Sequence, residues 1–564
     1  MCGLFGIGWT KSLVKHSKID TELLTEEIRS RGPDNFSQYV DDQLILAHRR
    51  LSILDLDPRA SQPMLSSDGR YVMVFNGEIY NFKEIRESIQ DVAWRTTGDS
   101  EVVIEGFRLF GINFFSQLDG MFSIFIYDRE NKIGYAARDR SGEKPFYYLR
   151  SSNKFVFSSS IETFYAHFKD EIAISEDQLE EYELLGFNKN DRTLFKEVFE
   201  LPPGKYMEIN FSGDKICQKV NSYWTPSIVK KTKKDIDHLS DELDVLIHKS
   251  IKARLVADVD VGVFLSGGLD SSLVATIAAK YKKDLKAFSI GFENKAFDES
   301  SDAERVARSC GLIHHKRILS SLDVKQYLLK FEELKKVPFF DQSIVGLLPL
   351  SEMASKHVKV VLTGDGADEL FGGYHYHFFG NVLINLPFIW LPDFLLRNGK
   401  SKVLTLLKIK DPYDRYLYIK SLDKCLYYKT INNKNSKLSR EKKNILEYDF
   451  LNVLPKLYLN KVDIGSMAYS LEARAPYLSN EIIDWGQRLP IKFKFNIFKN
   501  KIILKKVAER YLPKDIIYKN KKGFGVPLFD VDERLSSYHA WNKLKLSVFC
   551  DSFIKPSGKI ENRY

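Results

Sequence analysis

The chain has 564 residues, of which 44 % are hydrophobic, and its 84 Lys and Arg exceed its 75 Asp and Glu by nine. That is enough apolar material for two to four domains. The cationic excess is spread out, in short clusters such as KKTKK (230–234) and KNKK (519–522), so it argues for a solvated surface and against a nucleic-acid footprint. Five cysteines, Cys2, Cys217, Cys310, Cys425 and Cys550, are far apart and form no CxxC pair. Neither a disulfide framework nor a zinc cluster is suggested, and a reducing cytoplasm is the expected location.

The amino-terminal stretch MCGLFGIGWT lacks the basic region that precedes a secretory apolar core, and Cys2 occupies the place where myristoylation needs Gly. Alternating apolar runs follow, YVMVFNGEIYNF (71–82) and MFSIFIYDRENKIGYAARD (121–139), cut by Gly, Asn and Asp in the manner of antiparallel strands. The segment LPPGKYMEI (201–209) reads as the last of them, and the Lys-rich TPSIVKKTKKD (225–235) as a connector. Beyond it, helical periodicity over 239–255 gives way to a strand, VDVGVFL (259–265), a Gly-Ser turn and a helix, LVATIAAKY (273–281). Further strands at 285–292 and 358–364, with helices between, predict an α/β unit with a parallel sheet. The stretch 380–396, GNVLINLPFIWLPDFLL, is broken by Asn385, Pro387, Pro392 and Asp393, too short a run for the ~20 residues of a membrane span, and is expected as a helical surface segment. These textures predict a first unit at 2–210, a linker at 211–235 and a second unit from 236.

The turn after the 259–265 strand is SGGLDSS, Ser266 to Ser272. Two glycines allow the backbone to approach a ligand, and hydroxyls and free N–H groups at a helix start form an anion cradle. No GxxxxGK followed by Ser or Thr occurs, which excludes a Walker loop. SGGxDS instead resembles the PP-loop of ATP pyrophosphatases. A lone SGG would be explained as well by a helix-capping turn; Asp270, Ser271 and the flanking strand and helix favour the phosphate reading. A second loop, TGDGADELFGGY (363–374), crowds Asp365, Asp368 and Glu369 after another apolar strand. Carboxylates that close repel unless a cation offsets them, and Mg²⁺ on a triphosphate is the natural partner.

With Met1 removed, Cys2 would carry a thiol and a free α-amine whose unperturbed pKa near ~8 suits it as the thiol's base. A penultimate Cys is more often a small hydrophobe, so this reading needs company. It has it: CGLFGI, RGPD (31–34), AHRRLSILD (47–55), NGEIYN (76–81), GDSEV (98–102), LDGMFSIFIYD (118–128), RDRSGEKPFYY (138–148), SGGLDSS, SIGFE (289–293), TGDGADELFGGY, SMAYSLEARAPYL (466–478) and KNKKGFGVP (519–527) are collinear. Together they resemble the glutamine-dependent asparagine synthetases over some 525 residues. The resemblance extends to about residue 530, which makes the second unit 236–530 and leaves 531–564 as a tail of unassigned role. The resemblance implies an α+β N-terminal-nucleophile αββα sandwich, a class II glutamine amidotransferase, followed by an α/β PP-loop ATP-pyrophosphatase domain with a mainly helical C-terminal part.

On that resemblance Cys2 attacks the glutamine amide, with Asn76 and Gly77 as its oxyanion hole. Arg50 pairs with the substrate α-carboxylate, Glu78 and Asp99 receive its α-ammonium, and Leu51, Ser52, Ile53 and Leu54 line the pocket. In the second domain Leu265, Ile290, Thr363 and Gly364 are expected at ATP, and Ser266, Gly267, Gly268, Ser271 and Ser272 at its phosphates. Asp270 and Asp368 are the implied Mg²⁺ ligands, Lys521 the Lys that steadies the acyl-adenylate, and Asp365 the acid in a position where many members have Glu. Glutamine, ATP and aspartate are the implied substrates, with no nucleic acid or membrane partner and room for a homodimer. His314, His315 and Cys310 are expected to be structural, Cys310 as a buried thiol.

Two departures bear on the acceptor. Relatives read DRxSMA and RVPFLD where this chain has Ile464 and Ser479 in place of Arg and Asp. Losing a cation and an anion at the acceptor end would suit another acid, such as a uronate of a surface polysaccharide. A tRNA-modifying PP-loop protein is a third reading; it predicts a basic patch or a thiolation cysteine pair and has no use for Cys2.

Overall fold

A computed structural model describes residues 2–10, 19–90, 92–227, 229–377, 406, 409, 411–422, 445–519, 525–528 and 538–553. The first unit contains β1 (Gly3–Trp9), β2 (Asn35–Val40), β3 (Leu44–Arg50), β4 (Met64–Leu65), β5 (Tyr71–Ile79), β6 (Gly120–Asp128), β7 (Ile133–Arg138), β8 (Tyr147–Arg150), β9 (Lys154–Ser158), β10 (Val198–Glu200), β11 (Lys205–Asn210) and β12 (Cys217–Ser222). They form two antiparallel sheets of order β10-β8-β9-β1-β3-β2 and β12-β11-β7-β6-β5-β4.

Side-chain alternation decides what each sheet face meets. Leu4, Leu44 and Leu46 turn inward against Val72, Val74 and Phe125 of the other sheet. Phe5, Ile7, Ile45 and Ala47 turn outward against Phe164 and Tyr182 of the helices Glu162–His167 and Glu176–Leu185. Helices Phe82–Ser88 and Asp99–Phe110 cover the other outer face. The result is the four-layer αββα sandwich. The sheet extends past the expected boundary: β12 pairs with β11 from Lys205↔Ser222 to Asn210↔Cys217, so residues 217–222 are strand and not linker. Its alternation is masked in the sequence because β12 is an edge strand with an exposed, polar outer face.

In the second unit β13 (Val261–Phe264), β14 (Lys286–Phe292), β15 (Ile313–Leu319), β16 (Val360–Leu362) and β17 (Glu472–Arg474) make a parallel sheet of order β15-β14-β13-β16-β17. The chain leaves β13 towards β14 on one side and returns through β16 on the other. The loops after β13 and β16 therefore part and open a crevice at the carboxyl ends of the strands, the usual ligand position in such sheets. The segment 380–396 lies outside the described residues, and among those that are described no helix is long and apolar enough to cross a membrane.

One apolar cluster ignores the division between units, joining Leu51, Ile53, Tyr80 and Met121 to Leu265, Leu273, Tyr477 and Leu478. The tail is a second tie. Its helix Tyr538–Phe553 sinks Trp541 completely among Phe331 and Phe339 of the second unit, with Nε1 donating to the Phe339 carbonyl at 3.1 Å. One to three turns on, Leu546 and Phe549 pack with Phe195 of the first. Trp541→Ala is expected to cost about 3–5 kcal/mol, measured as a lowered urea midpoint, and to hasten proteolytic separation of the two units.

Candidate active sites

Cys2 opens β1 and is 8 % exposed. Its backbone N–H donates to Asn76 Oδ1 at 2.9 Å, and its carbonyl accepts from Arg31 Nε at 3.1 Å. The other half of the Asn76 amide, Nδ2, is fully buried and has no partner among the described residues. The carboxamide oxygen is thus committed to positioning Cys2 while a bare donor stays beside it. Gly77 follows on β5, where a Cβ would lie 2.0 Å from the Met121 carbonyl, so only glycine fits. Burial pushes the Cys2 thiol up, opposed by the amino terminus, the Leu51 amide that donates to it, and the charge of Arg50. His48 is no base for it: burial drives this imidazole down to about 3, and its Nε2 faces the Phe75 carbonyl.

Arg50, at the end of β3, is itself clamped by the carbonyls of Asp55 and Asp57, the latter at 3.0 Å. Ser52 N–H donates to Asp34 and the Ile53 carbonyl accepts from Asp258 of the second unit, while Leu54 packs against the outer helical layer. Asp99 starts a helix and accepts the Ile79 amide at 2.9 Å; burial nevertheless lifts its carboxyl to about 6. The charge of Asp99 acts on Glu78, which carries a partner the sequence did not announce: Arg474 Nη2, 3.0 Å away on β17.

Arg474 is fully buried, pairs a second time with Glu472 at 2.6 Å, and donates to the carbonyls of Arg254 and Val256. Despite burial, the positive amino terminus and Arg474 hold Glu472 down at about 2. A further buried bridge crosses between the units, Arg31 to both oxygens of Asp463 at 2.6 and 3.0 Å. The quoted motifs RGPD and SMAYSLEARAPYL contained Arg31, Glu472 and Arg474, and Asp463 directly precedes Ile464. Glu472 and Arg474 stand two apart, on one face of a strand; nothing in the sequence paired them with residues some 400 positions away.

The crevice of the second unit encloses a cavity of about 450 Å³. Ser266, Gly267, Gly268, Asp270, Ser271, Leu265, Ile290, Thr363, Gly364, Asp365 and Asp368 all line it. Gly267 has φ +76°, and a Cβ there would press to 2.7 Å on the Ala303 amide nitrogen. Ser266 and Ser271 hydroxyls bond to each other at 2.9 Å at the mouth of helix Leu269–Tyr281. Ser272 is fully buried and is not among the residues that line the cavity; its amide donates to the Gly268 carbonyl and its hydroxyl has no partner among the described residues. Lys521 lies outside the described residues.

A residue passed over in the sequence occupies the centre of this site. Lys501 Nζ bridges Asp270 at 2.5 Å and Asp368 at 2.6 Å, and these carboxylates raise its pKa against a burial that would lower it. The pair of acids therefore already accommodates a cation, and two hard carboxylate oxygens suit Mg²⁺. Among the described residues no group of three or more His, Cys, Asp or Glu is arranged to hold a metal by itself. Burial lifts Asp365, with Thr363 opposing.

The two acceptor-side substitutions are not in the cavity wall. Ser479 caps helix Asn480–Arg488, accepting the Ile482 amide, and Ile464 packs in an apolar cluster with Tyr469. His314 bonds to Ser289 and His315 stacks on His357 at 4.1 Å; Cys310 is half-buried, against expectation, beside Thr276.

The asparagine synthase family model matches residues 242–547, and a glutamine amidotransferase domain model matches 1–224. The chain belongs to the asparagine synthase family. It is 29 % identical to glutamine-hydrolysing asparagine synthetase 1 of Bacillus subtilis over 94 % of this chain and 87 % of that protein. With asparagine synthetase 3 of the same organism the identity is 27 %, over 93 % and 87 %. A putative asparagine synthetase 2 of Methanocaldococcus jannaschii shares 33 %, over 70 % and 79 %. The chain is thus an asparagine-synthetase-like, glutamine-dependent amidotransferase with a synthetase domain that uses ATP.

The role that the resemblance implies for Asp99, receiving the glutamine ammonium, needs it ionised; on that role the kcat/KM for glutamine is expected to fall as pH drops through about 6. In Asp99→Asn that acid limb should disappear and KM rise at every pH; a limb that survives the substitution would assign it to another group.

Proposed function

We propose that the protein makes asparagine from aspartate, glutamine and ATP, releasing glutamate, AMP and pyrophosphate. The observation that carries the first half is the split Asn76 carboxamide, whose oxygen positions Cys2 while its buried Nδ2 is left without a partner. With Met1 removed, the α-amine of Cys2 takes the thiol proton and the sulfur attacks the glutamine amide carbon. Nδ2 of Asn76 and the Gly77 N–H then receive the oxyanion, a contribution of about 3–4 kcal/mol in comparable sites. Ammonia leaves as the thioester forms, and water releases glutamate. Arg50 on the α-carboxylate, and Glu78 with Asp99 on the α-ammonium, orient the substrate.

In the second unit the adenine is gripped between Leu265 and Ile290, and the phosphates lie on Ser266, Gly267, Gly268 and Ser271. Asp270 and Asp368 would hold Mg²⁺, which when bound offsets triphosphate charge. The acceptor carboxylate attacks the α-phosphorus and pyrophosphate departs; ammonia then displaces AMP from the acyl-adenylate, with Asp365 and Lys521 at the reacting end. Aspartate is favoured as acceptor because the curated relatives are named for its product, and because Ile464 and Ser479 lie outside the cavity. Placement in the cytoplasm follows from the same chemistry, which draws on a cellular pool of ATP.

With ATP, Mg²⁺ and glutamine, pyrophosphate and asparagine are expected in equal amounts and in response to aspartate. Cys2→Ala should lose glutamine-dependent synthesis by at least about a thousandfold and keep synthesis from ammonium. Turnover that ignores aspartate but follows a nucleotide-linked uronate, or spent nucleotide appearing as ADP, would overturn the assignment.

A further inference from the structure

Between the two sites lies a small void of about 10 Å³, walled by Glu143 and Lys144 of the first unit and by Thr363, Asp365, Val462 and Asp463 of the second. Thr363, Asp365 and Val462 also line the 450 Å³ cavity. On the other side, Asp463 is held by Arg31, whose Nε binds the Cys2 carbonyl. Nitrogen moving from the thiol to the adenylate under the reading above passes this void.

A path for a neutral molecule has little use for charge, yet charge is gathered here. Asp463 is satisfied by Arg31 and has Lys144 at 3.9 Å. Asp139, beneath the loop, accepts the amides of Ser141, Glu143 and Lys144. Glu143 is otherwise: 5 % exposed, it has no ion-pair partner among the described residues, and its carboxylate takes one long hydrogen bond, from Ser141 Oγ at 3.4 Å. Nearby, Arg254 stacks 4.0 Å from the ring centre of Tyr80. Arg254 Nε and Nη2 and the Tyr80 hydroxyl are all buried without partners among the described residues. Orphaned buried donors of this kind call for a small polar guest.

We propose that Glu143 is the proton acceptor of this passage: ammonia released at Cys2 that has taken a proton from water on its way gives that proton to the carboxylate, so that nitrogen enters the adenylate cavity as neutral ammonia. The step is a single proton transfer: ammonium and carboxylate become ammonia and carboxylic acid, no C–N bond changes, and the proton leaves to water before the next turnover. It rests on the assignment of the two sites made above.

The surroundings suit the task. Burial, then the negative charge of Asp139, lifts Glu143 to about 8 against Lys144 and Arg254. An ordinary carboxylate is too weak a base to compete for this proton near neutral pH. The charged and titratable groups facing it are Asp139 and Lys144 in its own loop, Tyr80 after β5, Arg254 on helix Ile236–Arg254, Asp365 after β16, and Asp463 on helix Asn460–Met467.

The test is the amount of amide formed per glutamate released, a ratio insensitive to the fraction of enzyme folded. For Glu143→Gln it should fall about fivefold or more below the native enzyme near pH 8. The difference should close towards pH 6, where the native carboxyl is protonated too, and again towards pH 10, where ammonia is neutral unaided. Glu143→Asp should retain most of the native ratio. A native ratio in Glu143→Gln at pH 8, or a loss equal at all pH and shared by Glu143→Asp, would overturn the proposal. A native enzyme that forms no glutamine-derived amide with aspartate or uronate would overturn the two-site reading as well, and is told apart by needing no substitution to appear.

Discussion

The two sites share one frame because oppositely charged side chains from different units are buried against each other: Arg31 with Asp463, and Glu78 with Arg474. Such pairs gain little net stability over apolar packing, but removing one partner costs about 3–5 kcal/mol by stranding the other charge. They therefore act on register. A slip of the units by one residue would part Arg31 from Asp463 and Glu78 from Arg474 in a core that also joins Leu51 and Tyr80 to Leu265 and Leu478. The bidentate geometry of Arg31 on Asp463 adds an angular constraint that an apolar contact lacks.

Each of these pairs reaches a reacting position through one further bond. Arg31 holds the carbonyl of Cys2, while β17, which carries Arg474, lies beside β16, with the Thr363 amide donating to the Arg474 carbonyl at 2.9 Å. Thr363 lines the nucleotide cavity. Arg474 thus stands one side-chain contact from Glu78 and one backbone bond from the cavity. Glutamine's ammonium would have to share Glu78 with a guanidinium whose other partner, Glu472, is on the same strand.

Local features were legible in the sequence because they are written in short-range pattern. The alternation in 71–82 and 121–139 gave strands, the apolar runs at 259–265 and 358–364 gave the inner parallel strands, and SGGLDSS marked the turn where the cavity opens. What escaped is set by contacts across hundreds of residues. Edge strand β12 has too little apolar alternation to be seen without its neighbour, and Ser272 sits on a helix whose buried face can be told from its exposed one only once the sheet is in place. Lys501, Arg31, Asp463 and Arg474 carry no spacing signal; each became informative when the fold set it against a carboxylate or a guanidinium from elsewhere. Ser479 carries a local role that the comparison of motifs did not show: its side chain caps the helix Asn480–Arg488.

Lys501 shows how charge balance shapes the nucleotide site. Asp270 and Asp368 approach each other because they follow the neighbouring strands β13 and β16 at the mouth of one crevice, and two carboxylates that close cannot both stay ionised without a cation. Lys501 supplies it from a left-handed backbone position, φ +48°, at the start of helix Ile502–Ala508. That conformation is uncommon for a residue with a long side chain, and it is the one that aims the ammonium back between the two acids. A metal ion or a phosphate in this crevice would change the local charge by more than one unit, so a divalent cation held by Asp270 and Asp368 would compete with Lys501 for their oxygens. The lysine would then be free to turn towards an anion, and the charge of the two acids would stay compensated with or without the ligand.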